Sequence, residues 1–310
     1  METIIPMGKV KPLVSGDTVR VNVNLDTKTF AGSNLAFLEV NPEGNSHQPE
    51  QYKFNNFISK NFYVWTDSTS PFMDVTFDGL HILNKDIVSS KPDIIIKLTD
   101  DARFMLLNNT ELVKVQLRYP SGVLRDYAFN NDTLVLTPPN TGGNNANTAT
   151  INFKPNLLED GEYELVVNGK DQSGNKAGSL NYRVAFQVIN KAMISDMLNY
   201  PNPFTSSTAF VFTLTGSEVP QNLRIQVLTI TGKIVKEITK AELGPIHIGR
   251  NITEYKWDGT DQYGQKLANG VYLYRVLTNL NGKSLDKYST SENNTDRYFK
   301  KGYGKMVLIR

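Results

Sequence analysis

Cysteine is absent from all 310 residues of this chain. That excludes disulfide staples, cysteine-ligated zinc and a thiol nucleophile, so small β domains must be held by their apolar cores alone. Histidine is almost as scarce. His47, His81 and His247 stand far apart, among turn residues or on strand edges, and no serine–histidine–aspartate set can be assembled from their spacing. No apolar run approaches the length needed to cross a bilayer. The opening "METIIPMGKVKPLVSGD" has no basic stretch followed by an apolar one, so no secretory leader is visible. The expectation is an internal piece of a longer protein, given a start methionine. Helical periodicity is nearly missing, and helix content should be very low.

Acidic and basic residues almost balance. The net charge of +2 divides into +5 over 192–310 and −3 upstream. Lys233, Lys236 and Lys240 alternate with apolar residues, which describes the solvated face of strands and argues against a nucleic-acid stripe.

Short strand-like runs separated by Gly, Asn, Asp and Pro clusters fill the chain, and they predict an all-β protein of three tandem immunoglobulin-like sandwiches. Residues 1–66 offer "TVRVNVNL", with Val19, Val21, Val23 and Leu25 on one face, then "NLAFLEVN" and "NFYVWTD". Residues 67–191 offer seven candidates, "FMDVTFDG", "DIIIKLTD", "VKVQLRY", "TLVLTP", "TATINFKP", "GEYELVVNGKD" and "YRVAFQVIN". The second of these should begin just after Pro92, which cannot donate to a ladder. Residues 192–310 offer "AFVFTLTG", "LRIQVLTITGKIV", "NITEYKWDG", "GVYLYRVLTNL" and "GKMVLIR", with "KAMISDMLNY" as a linker or short strand.

One stretch fits none of these. In "NYPNPFTSST", Pro201 and Pro203 fix φ and remove two donors, so Tyr200–Phe204 should be a stiff arm joining the second and third sandwiches. Thr231-Gly232-Lys233 then marks a tight hairpin or bulge, and Trp257-Asp258-Gly259, Gly264 and Asn269-Gly270 mark consecutive turns around a large aromatic anchor.

Taken in order, "YPNPF", "TGK", "WDGTDQYGQKLANGVYLYRV" and a final "KMVLIR" resemble the type A C-terminal sorting domain of type IX secretion cargo from Bacteroidota. Its immunoglobulin-like fold is similar to that of the flagellar hook-capping protein. The resemblance covers 198–310 and departs in the long polar insert "TNLNGKSLDKYSTSENNTDRYFKKGYG", expected as a hairpin or mobile loop. Upstream, residues 1–66 resemble a CARDB-like adhesion module, and "SPFMDVTFDGLHILNKDIVSSKPDIIIKLTDD" resembles the immunoglobulin-like segment that follows the catalytic domain in gingipain-type, PorU-like peptidases. Those enzymes use a Cys–His pair, which this chain cannot carry.

The resemblance implies passage through the periplasm to the cell surface or medium. It implies as partners the outer-membrane translocon and its shuttle proteins, and a catalytic domain upstream in the parent protein. It assigns sorting and docking to Tyr200, Pro201, Asn202, Pro203, Phe204, Gly232 and Lys233, to Trp257, Asp258, Gly259, Gly264, Gly270 and Tyr272, and to Lys305, Val307, Leu308, Ile309 and Arg310. The short final strand would pair with an exposed edge on a partner, or simply complete its own sandwich. An adhesion or glycan-binding module is one alternative, and an enzyme with its site at a domain interface is another. No catalytic residue, resident metal or cofactor is expected. A calcium loop at Asp171–Gly178, at Asp100-Asp101 or at Asp258 with Asp261 reads better as solvated turns, because the EF-hand pattern is missing. "TPPNTGGNNANTAT" reads as a flexible polar loop.

Overall fold

The computed structural model describes residues 4–8, 16–27, 30–43, 49–103, 105–130, 132–140, 147–195, 197–288, 299–300 and 302–310. Packing divides the chain into two units, Met1–Asp67 and Ser68–Arg310.

In the first unit, β1 (Gly32–Glu39) and β2 (Phe57–Val64) form an antiparallel pair with Leu35 opposite Asn61 and Phe37 opposite Ser59. Opposed residues share a face, so Leu35, Phe37, Phe57 and Tyr63 point one way and Leu38, Ile58 and Phe62 the other. Apolar groups on both faces stay exposed, Phe37 at 61% and Ile58 at 65%. The run Thr18–Leu25, expected as a strand, belongs to none. Alternation gives it an apolar side, but a strand also needs a neighbour's N–H and C=O groups.

The second unit holds two apolar cores. Around the first lie β3 (Phe72–Phe77), β4 (Asp86–Val88), β5 (Ile94–Asp100), β6 (Val113–Arg118), β7 (Leu124–Tyr127), β8 (Leu134–Thr137), β9 (Asn147–Phe153), β10 (Gly161–Gly169) and β11 (Tyr182–Val188). The sheet β3-β5-β9-β8 faces the sheet β4-β11-β10-β6-β7, with β4 parallel to β11. This is an immunoglobulin-like layering. Burial alternates as the pleat demands: Ile94, Ile96 and Leu98 of β5 meet Leu165 and Val167 of β10 in the core. Each such side chain contributes about 1.5–3 kcal/mol on leaving water. All seven expected strands form, and β5 starts two residues after Pro92.

Around the second core lie β12 (Met193–Ser195), β13 (Leu198–Tyr200), β14 (Thr208–Leu214), β15 (Asn222–Thr229), β16 (Ile234–Thr239), the single turn α1 (Lys240–Leu243), β17 (Gly249–Trp257), β18 (Gly270–Asn279), β19 (Asp286–Tyr288), β20 (Phe299–Lys300) and β21 (Tyr303–Leu308). β13 and β12 pair in succession with one edge of β14, and β17 pairs with its other edge. β19 adds to β12, and the opposing sheet runs β16-β15-β18-β21-β20. Of the polar insert, residues 289–298 and 301 lie outside the described residues, as do 141–146 of the Asn-rich loop. "KAMISDMLNY" supplies strands β12 and β13.

The passage between the two cores corrects the reading of "YPNPF" as their joint. The chain crosses at Ile189–Met193, where Gly216 N–H donates to Ile189 C=O at 2.9 Å and the Thr215 hydroxyl to Lys191 C=O at 2.6 Å. Nor does a spacer hold the two sandwiches apart. Ile87 packs against the second core, Ser90 N–H donates to Gly216 C=O at 3.2 Å, and a Cβ on Gly249 would lie 2.5 Å from the Ile87 carbonyl oxygen. The two prolines follow β13, inside the sandwich around the second core. Their stiffness, read from sequence as serving a linker, shapes a loop whose partner is the far end of the chain.

Candidate functional site

Strand β21 is gripped on both edges. On one side it pairs antiparallel with β18, Val307 opposite Val271 and Met306 opposite Tyr272. On the other side the Tyr200–Phe204 loop takes the outward backbone groups. Asn202 Oδ1 accepts the Val307 N–H at 3.0 Å, and its Nδ2 donates to Lys305 C=O at 3.0 Å. Phe204 N–H donates to Val307 C=O at 3.0 Å, and Phe204 C=O accepts from Ile309 N–H at 2.9 Å. The side-chain amide and one residue of main chain thus imitate a neighbouring strand, each bond contributing about 0.5–1.5 kcal/mol.

Beyond β21 the grip continues. Asn269 Oδ1 accepts Arg310 N–H at 2.9 Å and its Nδ2 donates to Arg310 C=O at 3.1 Å. The Arg310 guanidinium donates to the carbonyls of Leu267 at 3.1 Å, Gly259 at 3.2 Å and Asp258. Inward, Met306 and Leu308 are fully buried beside Phe204, Trp257, Tyr272 and Tyr274. Phe204 and Trp257 meet at 5.6 Å between ring centroids, Trp257 and Tyr272 edge-on at 5.8 Å. Gly259, at φ +74°, leaves the space that Leu308 fills: a Cβ there would sit 2.8 Å from Leu308 Cδ2.

The turn after Trp257 is tied from within. The indole N–H donates to Thr260 C=O at 2.8 Å, and Asp258 Oδ1 accepts the Thr260 hydroxyl at 2.7 Å and its N–H at 3.1 Å. Burial pushes the Asp258 carboxyl up, but the Thr260 hydrogen bonds and the Arg310 charge outweigh it and hold it below its ordinary value. Burial pushes the Tyr272 phenol up, with its hydroxyl donating to Ala268 C=O at 2.7 Å.

The residues singled out in sequence therefore come to one end of one sandwich. Asn202, Phe204, Trp257, Asp258, Gly259, Gly270, Tyr272 and the run from Lys305 to Arg310 touch or flank β21. The Gly232-Lys233 hairpin lies at the same end, since Thr229 stands opposite Tyr272, and the turn holding Gly264 reaches β16 through Gln262 N–H to Val235 C=O at 2.9 Å. Tyr200, 75% exposed, points outward. Asn269 was read only as half of an Asn-Gly turn. Its function as a holder of Arg310 leaves no local signal.

One expectation is overturned by this geometry. Residues 305–309 have no free edge for a partner strand, because Asn202 and Phe204 already occupy it. The strand completes its own sandwich.

Elsewhere, Asp171 accepts the Asn175 N–H and side-chain amide, both at 2.8 Å, as the carboxylate of a tight turn. It and Asp100 are both buried, with carboxylate oxygens within 4.8 Å of each other. Asp261 accepts from Tyr263 and Gln265 N–H groups in its own turn, each at 2.9 Å. His81 and His247 line a cavity of about 70 Å³ between the two sandwiches of the second unit, with no hydroxyl or thiol among the lining residues. His47 lies outside the described residues. No helix of the described residues is long and apolar enough to cross a membrane.

Comparison with known proteins adds this. No protein-family model matches the sequence, and no curated protein matches it. Among solved structures, latent dimeric PorU from Porphyromonas gingivalis is similar at 19% identity and a TM-score of 0.29, over 78% of this chain and 20% of that one. Fibronectin(III)-like modules of CbhA from Clostridium thermocellum match at 14% identity and a TM-score of 0.22, covering 76% of this chain and 93% of theirs. The Escherichia coli adhesin FdeC matches at 11% identity and a TM-score of 0.24, over 89% of this chain and 74% of its own. The chain spans about a fifth of the PorU chain.

Proposed function

We propose that this chain is a non-catalytic segment of a surface or secreted protein, with its third sandwich, 192–310, serving as a type IX sorting domain that docks to the export machinery. Residues 67–191 act as a stalk, and 1–66 as an adhesion-type module. The observation that supports this reading is convergence. Motifs up to 105 positions apart meet around β21, and most of their hydrogen bonds fix its backbone rather than its exposed side chains. A strand held this way is a rigid recognition surface. The parent protein on this reading is of gingipain or PorU-like kind, with its catalytic domain upstream and its route running through the periplasm.

The test is export of a fluorescent reporter fused behind a Sec leader to the whole chain, in a host with a working type IX system. Signal at the surface or in the medium, lost when Lys305–Arg310 are removed, is the expected result. A folded chain trapped in the periplasm in both cases refutes the reading.

A second reading has its own observation. Trp65 is 84% exposed and Tyr63 55%, with ring centroids 4.8 Å apart and planes at 58°, so that the Trp65 face is open to stack on a sugar. On this reading the chain binds polysaccharide through 1–66. Affinity that survives removal of 192–310 and is lost in Trp65→Ala is the expected result.

A further inference from the structure

With the edge of β21 closed, the outer face of its sheet remains. Register places Ile234, Leu228 and Leu273 in one row across β16, β15 and β18, and sets Val271 beside Val307. Ile309 follows Val307 on the same side, two residues on. None of the six belongs to the apolar core of the sandwich. Leu228 is nonetheless only 3% exposed, so the outer face already has a packed apolar centre of its own, while Ile234, Val271 and Ile309 stand 43–49% exposed around it.

The surroundings of that centre are basic. Lys305 ends the first row, opposite Leu273, and Arg275 and Arg224 lie along one side. The acid that faces them, Glu237, is taken by Arg224 at 3.3 Å and by the Gln226 amide at 2.5 Å. Arg275 is oriented by Gln226 Oε1 at 2.8 Å and the Tyr303 hydroxyl at 3.2 Å. A partner covering this face must offer apolar groups at the centre and carboxylates at the rim, or leave cations unpaired.

We propose that the outer face of the sheet β16-β15-β18-β21 is the docking surface, and that it takes a protein whose own patch is apolar at its centre and acidic at its rim. The proposal rests on the docking reading above and gives that reading a location and a chemistry. A membrane is the poorer occupant. Leu273 and Val307 are recessed to half-burial, and none of the six side chains is aromatic.

Two measurements decide it. The first titrates the isotope-labelled whole chain with a seven-residue peptide alternating glutamate and valine. The same peptide with lysine for glutamate, and phosphatidylglycerol vesicles, serve as the other arms. Expected are amide shifts confined to the six residues and their neighbours, binding weakened by salt, and a loss of about tenfold in the charge reversals Lys305→Glu and Arg275→Glu. Both side chains can change without touching the core, and Lys305 is gripped through its carbonyl alone. Equal binding of the lysine peptide, vesicle binding in its place, or shifts mapping to another surface overturns the proposal. The second places the two reversals in the export reporter. Export of the parent chain with unchanged export of the variants sinks this inference and leaves the docking reading standing. Failure of the parent chain to leave the periplasm sinks that reading, and the peptide titration still decides the chemistry of the face.

Discussion

The side-chain amide of Asn202 stands where a neighbouring strand would stand beside Val307. It accepts the Val307 N–H at 3.0 Å and donates to Lys305 C=O at 3.0 Å. Asn202→Ala removes both bonds from an exposed position, and a loss of about 1–2 kcal/mol in urea unfolding is expected. Hydrogen exchange at Val307 should accelerate with it, while exchange in β5 of the other sandwich stays unchanged.

Leu308 and Ile309 are consecutive and opposite in environment, one fully buried and the other 49% exposed. Leu308→Ala should cost about 2–5 kcal/mol through lost burial and the cavity left behind. Ile309→Ala should fall within about 0.5 kcal/mol of the parent protein. Equal costs would show that the side chains of this strand are not sorted as described.

Gly304 lies against the buried ring of Tyr274, where a Cβ would overlap ring atoms. Gly304→Ala therefore forces the ring aside or the strand out, at a cost of about 1–3 kcal/mol. The Tyr274 hydroxyl donates to Met197 C=O at 2.9 Å, so near-ultraviolet circular dichroism should change along with stability.

Asp258 has its carboxyl held below the ordinary value of 3.8 in the folded protein. A depressed folded value means stability that is present above the unfolded value and lost as pH falls through the folded one. Asp258→Asn should therefore lower the thermal midpoint at pH 7, and the gap from the parent protein should close on acidification below 3.8. A gap that is the same at both ends would show that the charge contributes nothing.

Asp78 is the opposite case. Burial pushes its carboxyl above the ordinary value; the hydrogen bond from Asp93 N–H works against this, the Asp93 charge adds to it, and the His247 charge partly offsets it. A raised folded value favours the protein below the unfolded value, and that advantage disappears as pH rises through the folded one. Asp78→Asn keeps the acceptor for Asp93 N–H, now at 2.9 Å, and suits the φ of +50° found there. It should raise the urea midpoint at pH 7 and make no difference at pH 3.

Strands that bury one side along their whole length were legible. Ile94, Ile96 and Leu98, or Phe210, Phe212 and Leu214, announce their pleat by alternation alone. The three residues of β4 and the four of β7 gave no period to read. Thr18–Leu25 shows the reverse failure, since alternation marks an amphipathic segment and says nothing about an available edge. Motif residues such as Trp257 and Gly259 were found as punctuation. Their common target was not, because a hydrogen bond between Asn202 and Val307 joins positions 105 apart and leaves no mark at either one. Asn269 and Arg310 are separated by 41 and are hidden for the same reason.

The grip on β21 also sets a timetable. Asn202 is synthesised 105 residues ahead of the Val307 that it holds. Until β21 is made, Phe204 and Trp257 have no Met306 or Leu308 to close over, and these long-range pairings are slow to form. The sandwich around the second core is thus completed only after β21 has been made. Its folding therefore waits on the synthesis of every residue between Asn202 and β21.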